Sequence, residues 1–121
     1  MFNWAEYLDQ AGRLDADGDE AGYRSSISRA YYSAFGLARR RLREVEGIKV
    51  PNTGRAHDYV WRIFSDSSPD VKRTAIGADG RRLRYRRGLA DYDDVVADLA
   101  LLSKECLADA QRVIALIGQL P

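Results

Sequence analysis

Between residues 23 and 45 the apolar side chains Tyr23, Ile27, Ala30, Tyr31, Ala34, Leu37, Ala38 and Val45 return mostly at every third or fourth position, the spacing of one face of an α-helix. Val95, Leu99, Leu102, Cys106, Ala110, Val113 and Ile117 repeat the pattern near the end of the chain. No stretch alternates polar and apolar residues as a half-buried strand does. Asp19 stands where an N-cap is expected and Gly47 where a helix stops, so the first run predicts a helix of about 26 residues. Breaks at Asp15–Asp19, Glu46–Gly54, Ser65–Pro69 and Gly77–Gly80 leave shorter helices at 2–14, 54–65 and 80–90, with a helical turn after Pro69. The expected fold is all-α: an up-and-down bundle of four to five helices in one domain over residues 1–121, its two long helices antiparallel.

Several kinds of chemistry lack their residues. The single cysteine, Cys106, allows no internal disulfide and falls on the apolar face of the last helix, where it reads as core; with one histidine there is no Cys/His zinc cluster. Gly77-Ala-Asp-Gly80 has neither the length nor the lysine of a phosphate loop. Asp93 and Asp94 are adjacent and diverge on a helix, and Asp15, Asp17 and Asp19 put no glutamate in register for a calcium loop. Neither a metal nor a cofactor is expected. No run approaches the ~20 apolar residues of a membrane span, and the opening MFNWAEYLDQ has no basic residue, which predicts a soluble protein of the cytoplasm with no membrane contact.

Charge is segregated along the chain. Residues 1–23 hold one Arg and six acids, residues 24–87 hold 14 Arg and 2 Lys with six acids, and residues 88–121 hold one Arg and one Lys with six acids. Arginine outnumbers lysine 16 to 3, and the planar guanidinium fork suits phosphate. The densest stretch, Arg81-Arg-Leu-Arg-Tyr-Arg-Arg87, has five arginines and no acid in seven residues. So many like charges require an anion nearby. Either the acids at Asp91–Asp94 or in the first segment supply it, or a phosphate backbone does, with tyrosines stacking on bases. Beside the apolar face of the long helix, Arg29, Tyr32, Ser33, Gly36, Arg40 and Arg43 form a second stripe. A mid-helix glycine such as Gly36 implies a close approach by a backbone or a bulky side chain, and the stripe reads as either a solvated flank or a surface for a partner.

Three segments together, Tyr23-Arg-Ser-Ser-Ile-Ser-Arg-Ala-Tyr-Tyr-Ser-Ala-Phe35, His57-Asp-Tyr-Val-Trp-Arg-Ile-Phe64 and Leu83–Asp93 ending Arg87-Gly-Leu-Ala-Asp-Tyr-Asp93, resemble the HEPN superfamily, and most closely its small stand-alone branch. The resemblance implies a four- or five-helix bundle that pairs as a homodimer, with the arginine motifs in a shared cleft. It further implies a toxin–antitoxin or defence role, RNA or nucleotide binding, metal-independent ribonuclease activity in many members, and a cognate nucleotidyltransferase antitoxin that modifies a tyrosine after the motif.

The family's ribonuclease signature is Arg, four to six residues, then His. Here the corresponding positions after Arg84, Arg86 and Arg87 hold Leu, Ala, Asp and Tyr, so the motif is degenerate. Metal-free RNA cleavage needs a base for the 2′-hydroxyl and an acid for the leaving oxygen, roles that suit histidine. Asp91 is the base within the motif, Tyr92 the acid or the modifiable hydroxyl, and His57 the one histidine able to replace them, if its helix crosses the motif helix. Otherwise His57 is a cap or a packed polar residue. The expected binding residues are Arg84, Arg86 and Arg87, with Arg29, Tyr32 and Tyr85 around them. The expected function is RNA or nucleotide binding; the alternatives are a non-catalytic module paired with a nucleotidyltransferase, and an active metal-independent endoribonuclease.

Overall fold

A computed structural model describes all of residues 1–121. It contains α1 (Glu6–Asp17), α2 (Glu20–Arg40) running on through a π turn at Arg41–Val45, α3 (Arg55–Ser65), α4 (Val71–Tyr92) and α5 (Leu99–Gly118), with no strand. The all-α bundle of five helices agrees with the apolar spacing. Several boundaries follow from their caps. Asp19 accepts from the Gly22 amide at 2.7 Å and opens α2. The long helix ends where Gly47 turns left-handed (φ +67°), letting the Ile48 amide reach back to the Leu42 carbonyl at 2.8 Å. No helix is long and apolar enough to cross a membrane.

The packing of the long helices departs from expectation. Trp4 lies against Gly36 and the Ser26 hydroxyl donates to the Ala11 carbonyl, so α1 runs antiparallel to α2. Helix α4 is antiparallel to both α2 and α5: Arg24 meets the Ala90 carbonyl and Arg73 meets Glu46 on one side, while Arg86 meets Glu105 and Asp79 meets Arg112 on the other. The result is that α2 and α5 are parallel, not antiparallel. Lys104 lies over the Tyr23 ring at one end of this pair, and Arg41 donates to the Pro121 carbonyl at the other. The reason is the length of α4, which is 22 residues where 80–90 was expected. A full-length helix between α2 and α5 reverses the chain twice and restores its first direction.

Gly77-Ala-Asp-Gly80 is therefore not a break. Both glycines are buried inside α4, and a Cβ at Gly80 would meet the Trp61 ring while one at Gly77 would meet the Ser65 backbone. They are small because α3 presses against them, which the sequence disguises as a turn signal. The expected turn after Pro69 is the first turn of the same helix, capped by Asp70 on the Arg73 amide. Around this contact the core gathers Ile27, Tyr31, Ala34, Ala38 and Leu42 of the long helix with Val60, Trp61 and Phe64, Ile76 and Leu83, and Cys106, Ala110 and Val113. Val45 and Val95, counted above on apolar faces, are exposed: Val45 lies in the π turn, which shifts the phase of the helix, and Val95 precedes α5.

Candidate functional site

Much of the second stripe of α2 is covered by the chain's own N-terminal segment, whereas Tyr32 meets His57 and Arg87. Trp4 fills the space over Gly36, Arg40 donates to the Phe2 carbonyl, Ser33 is buried, and the Arg29 guanidinium lies over the Tyr7 ring at 4.7 Å. The close approach implied by Gly36 is thus intramolecular. Arg29 borders a depression with Ser28 and Asp91, separate from the one that Arg84 lines.

The arginine run divides by helix face. Arg82 and Arg86 point to α5, where Arg82 bonds Asp109 at 2.9 Å and also reaches Asp79, and Arg86 pairs with Glu105 at 2.9 Å and Asp109 at 3.6 Å. Arg112 closes the network on Asp79 at 2.7 Å and Asp109 at 2.9 Å. The anions that balance these charges come from within α4 and from α5, not from the first segment. Arg86, expected at the binding surface, is occupied here. No local pattern reveals this network, because its acids, Asp79 on α4 and Glu105 and Asp109 on α5, belong to two helices whose pairing is a tertiary feature.

The other face of α4 carries Arg81, Arg84, Tyr85, Arg87 and Gly88, which line an open depression with Asp58 of α3. Tyr85 is 60% exposed there. Arg87 is held from below: its guanidinium lies 5.4 Å from the Tyr31 ring centre and 5.6 Å from that of Tyr32, and it reaches Asp91 at 3.4 Å. Its Nε is the one buried side-chain nitrogen or oxygen in the molecule with no hydrogen-bond partner. Asp91 also accepts a long bond from Ser28 at 3.5 Å. Tyr92, by contrast, is 77% exposed at the end of α4, apart from this cluster.

Because α3 packs along α4, it carries His57 into the same region. The ring stacks on Phe35, with centroids 4.3 Å apart, and meets Tyr32 edge-on at 6.0 Å. Its Nδ1 is 2.6 Å from the Tyr31 hydroxyl, which also receives the Trp61 indole N–H at 3.1 Å. Trp61 can only donate, so the Tyr31 oxygen accepts from it, and the Tyr31 proton is best used on His57 Nδ1. Neutral His57 then carries its own proton on Nε2. Burial, reinforced by Arg87, Arg84 and Arg39, pushes the His57 pKa down to about 4. Burial likewise raises the Tyr31 hydroxyl well above the ordinary phenol range, so it stays protonated. Arg39 joins from α2, lying over Phe35 and lining a second depression with His57 and the 51–54 loop. Sequence spacing had left His57 ambiguous between packing and function. The structure makes it a packed residue that also stands among arginines.

In the Asp15–Asp19 segment, Asp15 accepts from Ser103 and Lys104, and Asp19 caps α2. Comparison with protein-family models, curated proteins and solved structures yields no match.

Proposed function

We propose that this protein binds a phosphate-bearing ligand, an RNA strand or a nucleotide, over the face formed by Arg39, His57, Arg84 and Arg87, as the resemblance to the HEPN superfamily implies. The observation that carries the reading is the split of the arginine run: Arg82 and Arg86 are neutralised by Asp79, Asp109 and Glu105, whereas Arg84 and Arg81 face an open depression with no acid bonded to them. Guanidiniums in that state match phosphate oxygens, and Tyr85 beside them offers an exposed ring for a base.

Binding fits these residues better than cleavage. A general acid must hold a proton at neutral pH, and His57, lowered to about 4, does not. A base at Nε2 must be unprotonated there, and the Tyr31 bond to Nδ1 favours the opposite tautomer. Asp91 is engaged by Arg87. Pairing of two copies, a nucleotidyltransferase partner, a cytoplasmic setting and a toxin–antitoxin or defence role belong to the same proposal and rest on the resemblance.

The test is fluorescence anisotropy of a labelled single-stranded RNA across a salt series. With about three phosphates neutralised, the slope of log K against log salt is about −2, and Arg84→Ala reduces its magnitude by about 0.7. Arg82→Ala lowers thermal stability and leaves the slope unchanged. Equal loss of binding in both variants, or no binding at low salt, overturns the proposal.

A further inference from the structure

Every element packed around His57 brings charge or a titratable group to it. From α2 come Tyr31, Tyr32 and Arg39; from α4 come Arg84 and Arg87; its own helix adds Arg55, Asp58 and Arg62. Asp58 and Asp91 are each paired with an arginine, Asp58 with Arg62 at 3.9 Å and Asp91 with Arg87 at 3.4 Å. The imidazole is wedged against Phe35 and Tyr31, and guanidiniums lie on both of those rings, Arg39 at 5.5 Å from Phe35 and Arg87 at 5.4 Å from Tyr31, while no carboxylate pairs with the imidazole itself.

We infer that an anion seated among Arg39, Arg84 and Arg87 brings a proton onto His57 with it, so that this site binds phosphate-bearing ligands more tightly as pH falls. The inference rests on the reading that these arginines hold phosphate. Three positive charges raise the cost of a fourth on His57, and an anion that neutralises them removes that part of the cost. What remains is burial and the Tyr31 bond. Protonation turns Nδ1 from acceptor to donor, so the Tyr31 hydroxyl rotates to receive it while still accepting from Trp61. Linkage makes the effect reciprocal: whatever factor the anion adds to proton affinity, the proton adds to anion affinity. The ring pKa of about 4 in the free protein leaves room for such a shift within the range where the protein can be studied.

Because His57 is the only histidine, its ring C–H resonances can be followed by proton NMR without assignment. The titration is run on the full chain alone, with sulfate, and with a short oligothymidylate, since neither sulfate, phosphodiester nor thymine changes charge between pH 4 and 8. The expected result is a His57 pKa that rises when either probe is bound. A rise of about two units makes oligothymidylate bind about tenfold more tightly at pH 5 than at pH 7.5. In His57→Gln the affinity varies less than twofold over that range. Binding with an unshifted His57 and a flat pH profile overturns the coupling while leaving the phosphate reading intact. Absence of binding at any pH overturns both. A pH dependence that persists in His57→Gln assigns the proton to another group and overturns the inference.

Discussion

The Tyr31 hydroxyl oxygen has two nitrogen partners, one on each of two α3 residues a helical turn apart, and this decides what His57 can do. Removing it in Tyr31→Phe takes away the bond that favours the neutral ring, so the His57 pKa rises from about 4, read from the same NMR resonances, while burial and the three arginines still hold it below its ordinary value. An unchanged value would show that burial and the arginines set it alone. The same substitution leaves the buried Trp61 N–H without a partner and costs roughly 1–3 kcal/mol in chemical denaturation. His57 was legible in the sequence only as one polar residue on an apolar face with Val60, Trp61 and Phe64. Its arginine neighbours lie 18 residues before it, and 27 and 30 after it, along the chain, a separation that periodicity within one helix does not report.

At the scale of elements, α4 does two things with one sequence. Its small residues let α3 in, and its arginines serve α5 on one face and the open depression on the other. Gly80→Ala drives a methyl into Trp61 and lowers stability by about 1–3 kcal/mol despite the better helix propensity of alanine. Gly12→Ala in α1 meets nothing within 4 Å and raises stability by about 0.5–1 kcal/mol. Thermal denaturation of the two variants separates a glycine required by packing from one that is not; if both stabilise, α3 does not press on α4 as described. Between α4 and α5, Asp109→Ala strips Arg82, Arg86 and Arg112 of a shared acceptor, at a cost of about 2 kcal/mol because the arginines are partly solvated. Helix existence, the Asp19 cap and the Gly47 stop were readable because they depend on neighbours within a few residues. The extent of α4 was not, because a glycine that permits contact and a glycine that ends a helix are the same letter.

Across the whole molecule, buried titratable groups shape the pH dependence of stability. His57 binds a proton in the unfolded chain near pH 6.5 but in the folded protein only near 4, so stability is full above about 6.5 and falls as pH drops through that window. Glu46 extends the fall. Burial alone would raise its pKa, but bidentate bonds from Arg73 at 2.9 and 3.0 Å and a bond from Arg41 at 3.0 Å outweigh it and lower the value, so its contribution is lost below about 4.5. On the alkaline side burial raises Cys106 from 9.0 to about 11 and raises Tyr31 as well. Both ionise more readily when unfolded, so stability declines above about pH 9. Urea midpoints across pH should therefore form a plateau between about 6.5 and 9, and His57→Gln should flatten its acid shoulder between 6.5 and 4. A midpoint constant down to pH 4 would mean that His57 is not held neutral by the fold.

Apolar spacing, caps and the absence of strand alternation determined by themselves that this chain is a helical bundle. They suffice because helix formation and its termination are local, set within a turn or two of each residue. The direction of α5 relative to α2, the covering of Gly36 by Trp4, the division of Arg81–Arg87 between two faces, and the meeting of His57 with Arg39, Arg84 and Arg87 were decided only by tertiary structure. Each depends on which helix faces lie in contact across the bundle, and that follows from burial summed over the whole chain, not from any segment of it.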